Sequence, residues 1–397
     1  MIIEPKVRGF ICTTAHPSGC EKNVADQIAY VKGKAAFEGA KRVLVIGSST
    51  GYGLSSRIAA AYGCSAKTIG VAFEKPASDA RTATAGWYNT AAFQKFALSD
   101  GLYAKSIMGD AFSDEIKQQT IELIKKDLGC VDLVIYSLAA PRRTAPDGIT
   151  YSSVIKPVGA DFSNKSIDMR TRMLTQAEIT AAAPEEIEGT IKVMGGEDWL
   201  MWMKALSDAG LLSNDVKTIA YSYIGPEVTH AVYKDGTIGL AKKDVEKAAE
   251  KITAMLAPIN GRAVVSVNKA VVTQASSAIP VVPLYISILF KIMKTKGIHE
   301  DCIEQMQRMM SEKIYKSGIV ADDCGRLRLD DLEMREDVQR EVSKIWELID
   351  DSNLNELADL EGYWGDFFRL FGFGVDGIDY NADVNPIVEI PNLYIKQ

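Results

Sequence analysis

Histidine is scarce in this chain of 397 residues: His16, His230 and His299 are the only three. They are far apart in sequence and no HExxH occurs, so no metal site is expected. The six cysteines (Cys12, Cys20, Cys64, Cys130, Cys302, Cys324) form no CxxC pair, which points to reduced thiols rather than disulfides or zinc. Long apolar runs are also missing. The most hydrophobic window, "IPVVPLYISILF" from Ile279 to Phe290, has 12 residues and is too short to span a bilayer. The amino terminus "MIIEPKVRGFIC" carries charges inside its apolar stretch and does not read as a signal peptide. No basic run exists, and the net charge of −7 makes nucleic acid a poor partner, although a local basic pocket would still accept phosphates. Repeats, low-complexity tracts and charge blocks are absent too. A compact cytoplasmic protein without membrane insertion is expected.

What is present is 47% hydrophobic residues, enough for a large buried core. Between residues 40 and 140, short β-branched runs alternate with helical periodicity. "RVLVIG", "KTIGVAFE", "LYAKSIMGD" and "VDLVIYSLAAP" read as strands, with "YGLSSRIAAAYG", "NTAAFQKFALSDG" and "SDEIKQQTIELIKKDLG" as helices between them. This alternation predicts an α/β fold with a doubly wound parallel sheet of the Rossmann type. Residues 141–190 break the rhythm with prolines and weak periodicity. Strand "KTIAYSYIG", a helix over 238–256 and strand "RAVVSVNKA" then resume it. The expected organisation is one large domain, 1–397. Its core is 40–140 and 215–275, its inserted segment is 141–214, and an elaborated, mostly helical substrate lobe with a carboxyl-terminal extension covers 276–397.

The first strand runs into "GSSTGYG", which places Gly47, Gly51 and Gly53 between a strand and a helix. Gly47 suits a tight turn, Gly51 a close backbone approach to a pyrophosphate, and Gly53 close helix–strand packing. The helix amino terminus favours the anion. Alone, the three glycines read equally as a plain glycine turn. The next strand ends in "VAFEK", putting Glu74 about 20 residues beyond the last glycine, where a carboxylate accepts both ribose hydroxyls and repels a 2′-phosphate. Together these features predict NADH as cofactor. "GDA" (Asp110, Ala111) and "SLAAP" (Leu138, Ala139) end the third and fourth strands, where adenine and ribose would lie.

"HAVYKDGTIGLAKK" sets Tyr233 nine positions before Lys242. On one continuous helix the two would face apart. Gly236 and Gly239 interrupt such a helix, and Thr237 suits a cap for a helix that starts after Tyr233. The chain can then bend Tyr233 back toward Lys242, beside a strand that also offers Tyr221 and Tyr223. An ammonium near a phenol favours phenolate, so such a pair could donate a proton or a strong hydrogen bond to a developing oxyanion.

At this point the sequence resembles the FabV-type trans-2-enoyl-CoA reductases, also described as enoyl-acyl-carrier-protein reductases. The resemblance runs in order through "RGFICTTAHPSGC", "GSSTGYG", "ATAGWYN", "DAFSDE", "YSLAAPRR", "KVMGGEDW", "AYSYIGPE", Tyr-x8-Lys, "VVTQASSAIPVVPLY" and "RLRLDDLE". It implies that Tyr233 is the proton donor, that Lys242 binds the cofactor and that Tyr223 contacts the acyl substrate. It implies NADH contacts from Gly47, Ser48, Ser49, Thr50, Gly51, Tyr52, Phe73, Glu74, Asp110, Ala111, Leu138, Ala139, Val271, Val272 and Thr273. Ser48 and Thr50 depart from the family's usual glycine loop by small residues. The family's carboxyl-terminal segment carries a flavin-binding label. No second dinucleotide fingerprint follows residue 320, so no flavin is expected.

The implied activity is NADH-dependent reduction of the C=C bond of an enoyl thioester, carried by CoA or acyl-carrier protein, in fatty acid synthesis by a monomer. A carbonyl reductase would use the same Tyr and Lys, and an NAD-sensing regulator would use the same fold without turnover. Finally, Pro280 and Pro283 interrupt the start of the run Ile279 to Phe290. One face of that run is expected to line the acyl channel, with Tyr285 or Ile286 nearest the chain.

Overall fold

Because successive strand residues point to opposite faces, a strand apolar at every position needs cover on both sides. The computed structural model, which describes residues 1–9, 11–78, 81–168 and 171–395, supplies it. Seven strands form one sheet: β1 (Arg42–Ile46), β2 (Lys67–Ala72), β3 (Ala104–Met108), β4 (Val131–Tyr136), β5 (Leu212–Ser222), β6 (Arg262–Val267) and β7 (Arg326–Arg328). All neighbours are parallel and the order is β7-β6-β5-β4-β1-β2-β3. The reversal at β1 and β4 is the switch point where doubly wound sheets open a ligand crevice.

The helices divide between the faces. They include α1 (Pro17–Lys32), α2 (Gly51–Ile58), α3 (Ala85–Ser99), α4 (Asp114–Asp127), α5 (Pro184–Met194), α6 (Glu197–Asp208) and α7 (Thr237–Leu256). Leu44 and Ile46 of β1 join a cluster with α4, α6 and α7, including Leu123, Trp199, Trp202 and Ile252. Val43 and Val45 face the other way, onto Ala59, Ala60, Met306, Met309 and Met310. A third cluster is built around α8 (Val282–Thr295), which packs against α9 (Glu336–Leu348) and α10 (Leu360–Arg369). No helix among the described residues is long and apolar enough to cross a membrane.

Several elements differ from the sequence reading. The segment 141–214 is not wholly an insertion. It holds a hairpin, Phe162–Asp168 with Met173–Ile179, but α6 packs on the sheet as the crossover between β4 and β5. Strand β7 lies in a stretch read as helical, since three residues are too few to show alternation. Helix α1 was not anticipated. Thr237 is not a cap: Gly236 holds that position and makes no side-chain bond, while Thr237 Oγ1 donates to the Val154 carbonyl at 2.6 Å.

The outer edge of β3 is partly covered by the end of the chain. Leu393 bridges Ser106, and the Tyr394 N–H donates to the Ser106 carbonyl at 2.8 Å. Upstream, Trp87 Nε1 and the Tyr88 hydroxyl of α3 each donate to tail carbonyls, those of Val388 and Pro386, at 2.7 Å.

Candidate active site

The carboxyl ends of β1, β2, β4, β5 and β6 open on a cleft of about 510 Å³. Its floor is the β1–α2 turn. Thr50 precedes α2 in extended conformation and gives no side-chain cap, so the first-turn amides of α2 are left for a ligand. Gly53 is obligatory in this packing: a Cβ there would lie 1.8 Å from the Gly47 carbonyl oxygen. Ser49 Oγ donates to Glu74 Oε1 at 2.6 Å, tying the loop to the end of β2. Phe73, beside it, is 73% exposed, which is unusual for a phenylalanine and leaves a ring face open at the cleft. Asp110 Oδ1 accepts the Phe112 N–H at 3.0 Å and so shapes the β3 turn that also lines the cleft.

The cleft's other wall carries the phenols. Tyr233 sits in a turn after a short helix, Glu227–His230, and Lys242 lies on α7. The chain does bend between them. The Gly239 N–H donates to the Tyr233 carbonyl at 2.9 Å, and a Cβ at Gly239 would meet the Lys234 carbonyl oxygen at 1.8 Å, so only glycine permits the fold-back. Both residues line the cleft. The rings of Tyr223 and Tyr233 meet edge-on, with centroids 5.1 Å apart and planes at 69°. The Tyr223 hydroxyl donates to Glu333 Oε1 at 3.1 Å.

The expected ammonium effect on the phenol is not seen. Burial pushes the Tyr233 hydroxyl above its ordinary range, and Lys242 Nζ donates instead to the Tyr221 carbonyl at 2.9 Å. Desolvation dominates, and the phenol is held in its protonated form. Burial also lowers the Lys242 ammonium to about 8. For Tyr223, burial and then the Glu333 carboxylate raise the hydroxyl.

Of the catalytic, substrate and cofactor residues anticipated from sequence, all but Ser48 and Val272 line this one cleft. Ser48 is buried and its hydroxyl donates to the Val71 carbonyl; Val272 is buried in the cluster around α8. Asn268 and Lys269 line the cleft and were missed. Asn268 Nδ2 is buried without a hydrogen-bond partner, a donor that a ligand would satisfy. Lys269 Nζ donates to the Ala270 carbonyl at 2.8 Å. The apolar face also differs. Ile279, from the turn before α8, and Val282 and Ile286 on the helix line the cleft, whereas Tyr285 turns away and donates to Glu333 Oε1 at 2.6 Å. Elsewhere, His299, Asp301 and Asp366 bring their polar atoms within 4.8 Å of one another, a grouping invisible when histidines are weighed only against each other. None of the three lines the cleft.

A parallel sheet of this order, with a glycine turn at its switch point and an acidic end to the second strand, defines a Rossmann-type dinucleotide-binding protein. Three family profiles match the chain: "NAD(P)H binding domain of trans-2-enoyl-CoA reductase" over residues 2–79, "Trans-2-enoyl-CoA reductase catalytic region" over 81–315, and "Enoyl reductase FAD binding domain" over 321–384. The chain belongs to the trans-2-enoyl-CoA reductase family. It is 59% identical over 395 residues to an enoyl-[acyl-carrier-protein] reductase [NADH] of Flavobacterium psychrophilum, covering 99% of this chain and 100% of that one. It is 58% identical to a trans-2-enoyl-CoA reductase [NADH] of Ruminiclostridium cellulolyticum, with the same coverage. Among solved structures, trans-2-enoyl-CoA reductase of Clostridium acetobutulicum in complex with NADH matches at TM-score 0.96 and 48% identity, covering 98% of this chain and 100% of that one. The Treponema denticola enzyme in complex with NAD matches at 0.94 and 50%, with the same coverage.

The flavin in the third description does not fit the residues that match it. In 321–384, β7, α9 and α10 commit Leu327, Val338, Val342, Trp346, Tyr363 and Phe367 to the core. No glycine turn there joins a strand to a helix amino terminus among the described residues, and none of them lines the cleft. NADH does fit: uncapped amides at α2, the Glu74 carboxylate and the unpartnered Asn268 Nδ2 all lie on one cleft.

Proposed function

We propose that this protein reduces the C=C bond of trans-2-enoyl thioesters with NADH, yielding the saturated acyl thioester for fatty acid synthesis. The observation that carries this reading is a single cleft joining the glycine turn, Glu74, two edge-on phenols, Lys242 and an apolar helix face. Glu74, now accepting from Ser49, would accept from the adenosine ribose and repel a 2′-phosphate. Phe73 would offer its ring to the adenine, beside Asp110, Ala111, Leu138 and Ala139. Lys242 would leave the Tyr221 carbonyl for the nicotinamide ribose, and the 271–273 backbone would flank the nicotinamide.

When bound, NADH supplies a hydride to the substrate's Cβ. Electron density then moves onto the thioester oxygen. The Tyr233 hydroxyl, kept protonated by burial, would donate to that oxygen, and Tyr223, whose ring packs on Tyr233, would support it. Tyr233 is the proton source for the enolate, which ends protonated at Cα. Ile279, Val282 and Ile286 give the acyl chain an apolar wall, where each buried CH₂ contributes roughly 0.8 kcal/mol.

Relatives carry both CoA and acyl-carrier-protein names, so the thioester is the recognised chemistry common to both. The free cysteines, three of them buried, suit a reducing compartment such as the cytoplasm. Steady-state NADH oxidation with crotonyl-CoA, run beside acetoacetyl-CoA, tests the reading. Turnover of crotonyl-CoA alone supports it; preference for acetoacetyl-CoA would make the protein a carbonyl reductase. NADH binding without turnover of either would make it a sensor.

A further inference from the structure

Glu333 does not reach the cleft, yet two of its partners form part of the cleft wall. It is fully buried just beyond β7, in the "RLRLDDLE" stretch. Oε2 accepts the Ala270 N–H at 2.7 Å. Oε1 accepts two phenols, Tyr285 at 2.6 Å and Tyr223 at 3.1 Å. Gln339 Nε2 braces the group, donating to the Glu333 carbonyl at 2.7 Å and to the Tyr285 hydroxyl oxygen at 3.3 Å. Tyr223 and Ala270 line the cleft; Tyr285 does not.

A buried carboxylate is tolerated when its lone pairs are filled, and removing its donors is strongly unfavourable. Tyr223 has one proton. While the Tyr223 O–H is directed at Glu333 it cannot serve a substrate oxygen. The shorter bond from Tyr285 to the same Oε1 changes this, because the carboxylate stays satisfied when Tyr223 turns away. Burial, and after it the Glu333 carboxylate, keeps Tyr223 a neutral phenol, able to donate.

We infer that Glu333 is a positioning residue for the reduction: it parks the Tyr223 hydroxyl at the cleft wall and fixes its ring against Tyr233, and Tyr285 holds the carboxylate when Tyr223 turns to the thioester oxygen. This rests on the role proposed above for Tyr223. In Glu333→Gln, the amide cannot accept from both Ala270 and the phenols. One of those contacts becomes donor against donor or reverses the Tyr223 bond.

The test is a double-mutant cycle on the full-length protein with NADH and crotonyl-CoA. Tyr223→Phe is expected to lower kcat about 10-fold or more, as loss of a hydrogen bond to developing charge does. Glu333→Gln is expected to lower kcat about 5- to 10-fold, with KM for crotonyl-CoA changing less than about 2-fold, the pattern of an interaction made in the transition state. In the Tyr223→Phe background the same change should cost less than about 2-fold more, because contacting residues couple. Losses that multiply, or wild-type kcat in Glu333→Gln, overturn the inference. Wild-type kcat in Tyr223→Phe would instead sink the reading of Tyr223 itself. If Glu333→Gln melts too low to assay, Tyr285→Phe takes its place in the cycle. It should lower kcat several-fold and be non-additive with Tyr223→Phe; no loss, or an additive one, overturns the inference equally.

Discussion

Single side chains set the chemistry, and three of them give sharp expectations. Tyr233→Phe keeps the ring that packs on Tyr223 but removes the donor. Turnover should fall about 100- to 1,000-fold, as for an oxyanion-hole donor, while the NADH dissociation constant stays close to wild type; rapid-mixing turnover beside fluorescence titration measures both. Glu74→Gln removes the charge at the end of β2 but keeps a partner for Ser49. The NADH-over-NADPH ratio of kcat/KM should drop, and equal efficiency with both cofactors in the unmodified protein would refute the charge argument. Lys242 gives a pH dependence. Its folded value of about 8 lies below the ordinary 10.5, so the fold favours the neutral amine. The ammonium is therefore present below pH about 8 and lost above it, and kcat/KM for NADH should fall as pH rises through that value. The same shift makes this group's contribution to stability increase with pH between about 8 and 10.5. Lys242→Met should have uniformly low activity without that alkaline limb. That these residues meet on one cleft could be anticipated from the sequence, because local spacing marks each position: a strand end after a glycine turn, and a bend before a helix. Glu333 could not. Its partners Ala270 and Tyr223 are 63 and 110 positions away, and no local pattern marks a carboxylate as buried.

At the scale of elements, α8 does two jobs with different faces. Val282 and Ile286, four apart on the helix, reach the cleft together with Ile279 from the turn before it, while Tyr285 points to the buried side of the cluster with α9 and α10. Ile286→Trp should therefore lower kcat/KM for long enoyl chains more than for crotonyl-CoA. Uniform loss across chain lengths, following a lowered Tm, would return the segment to plain core. The strands of the central sheet were legible because β-branched runs alternate with helices. The hairpin at 162–179 was not, since its exposed residues carry no period, and β7 is too short to show one. Of the two residues expected nearest the cleft in the run Ile279–Phe290, Ile286 lines it and Tyr285 does not. Direction on a helix depends on what lies opposite, and here a buried carboxylate captures the phenol.

For the whole molecule, the carboxyl-terminal third is bound into the catalytic body rather than attached to it. β7 extends the sheet, the loop after it holds the Tyr223 hydroxyl, and α9 and α10 roof α8. Phe367→Ala, deep between α8 and α10, should destabilise by about 3–5 kcal/mol and be felt in one transition shared by fluorescence and circular dichroism.

The tail across α3 and β3 bears on how neighbouring copies treat one another. A parallel sheet that stops at β3 would display a ladder of unpaired N–H and C=O groups, a template for any passing strand. Here Tyr394 and Leu393 occupy part of that ladder, and carbonyls at Pro386 and Val388 anchor the strap to α3. A chain ending at residue 385 should keep its cleft and its affinity for NADH yet scatter light increasingly with concentration, as bared β3 edges find each other. The twelve residues removed would thus serve the protein's colloidal behaviour, by denying one copy's β3 edge to another.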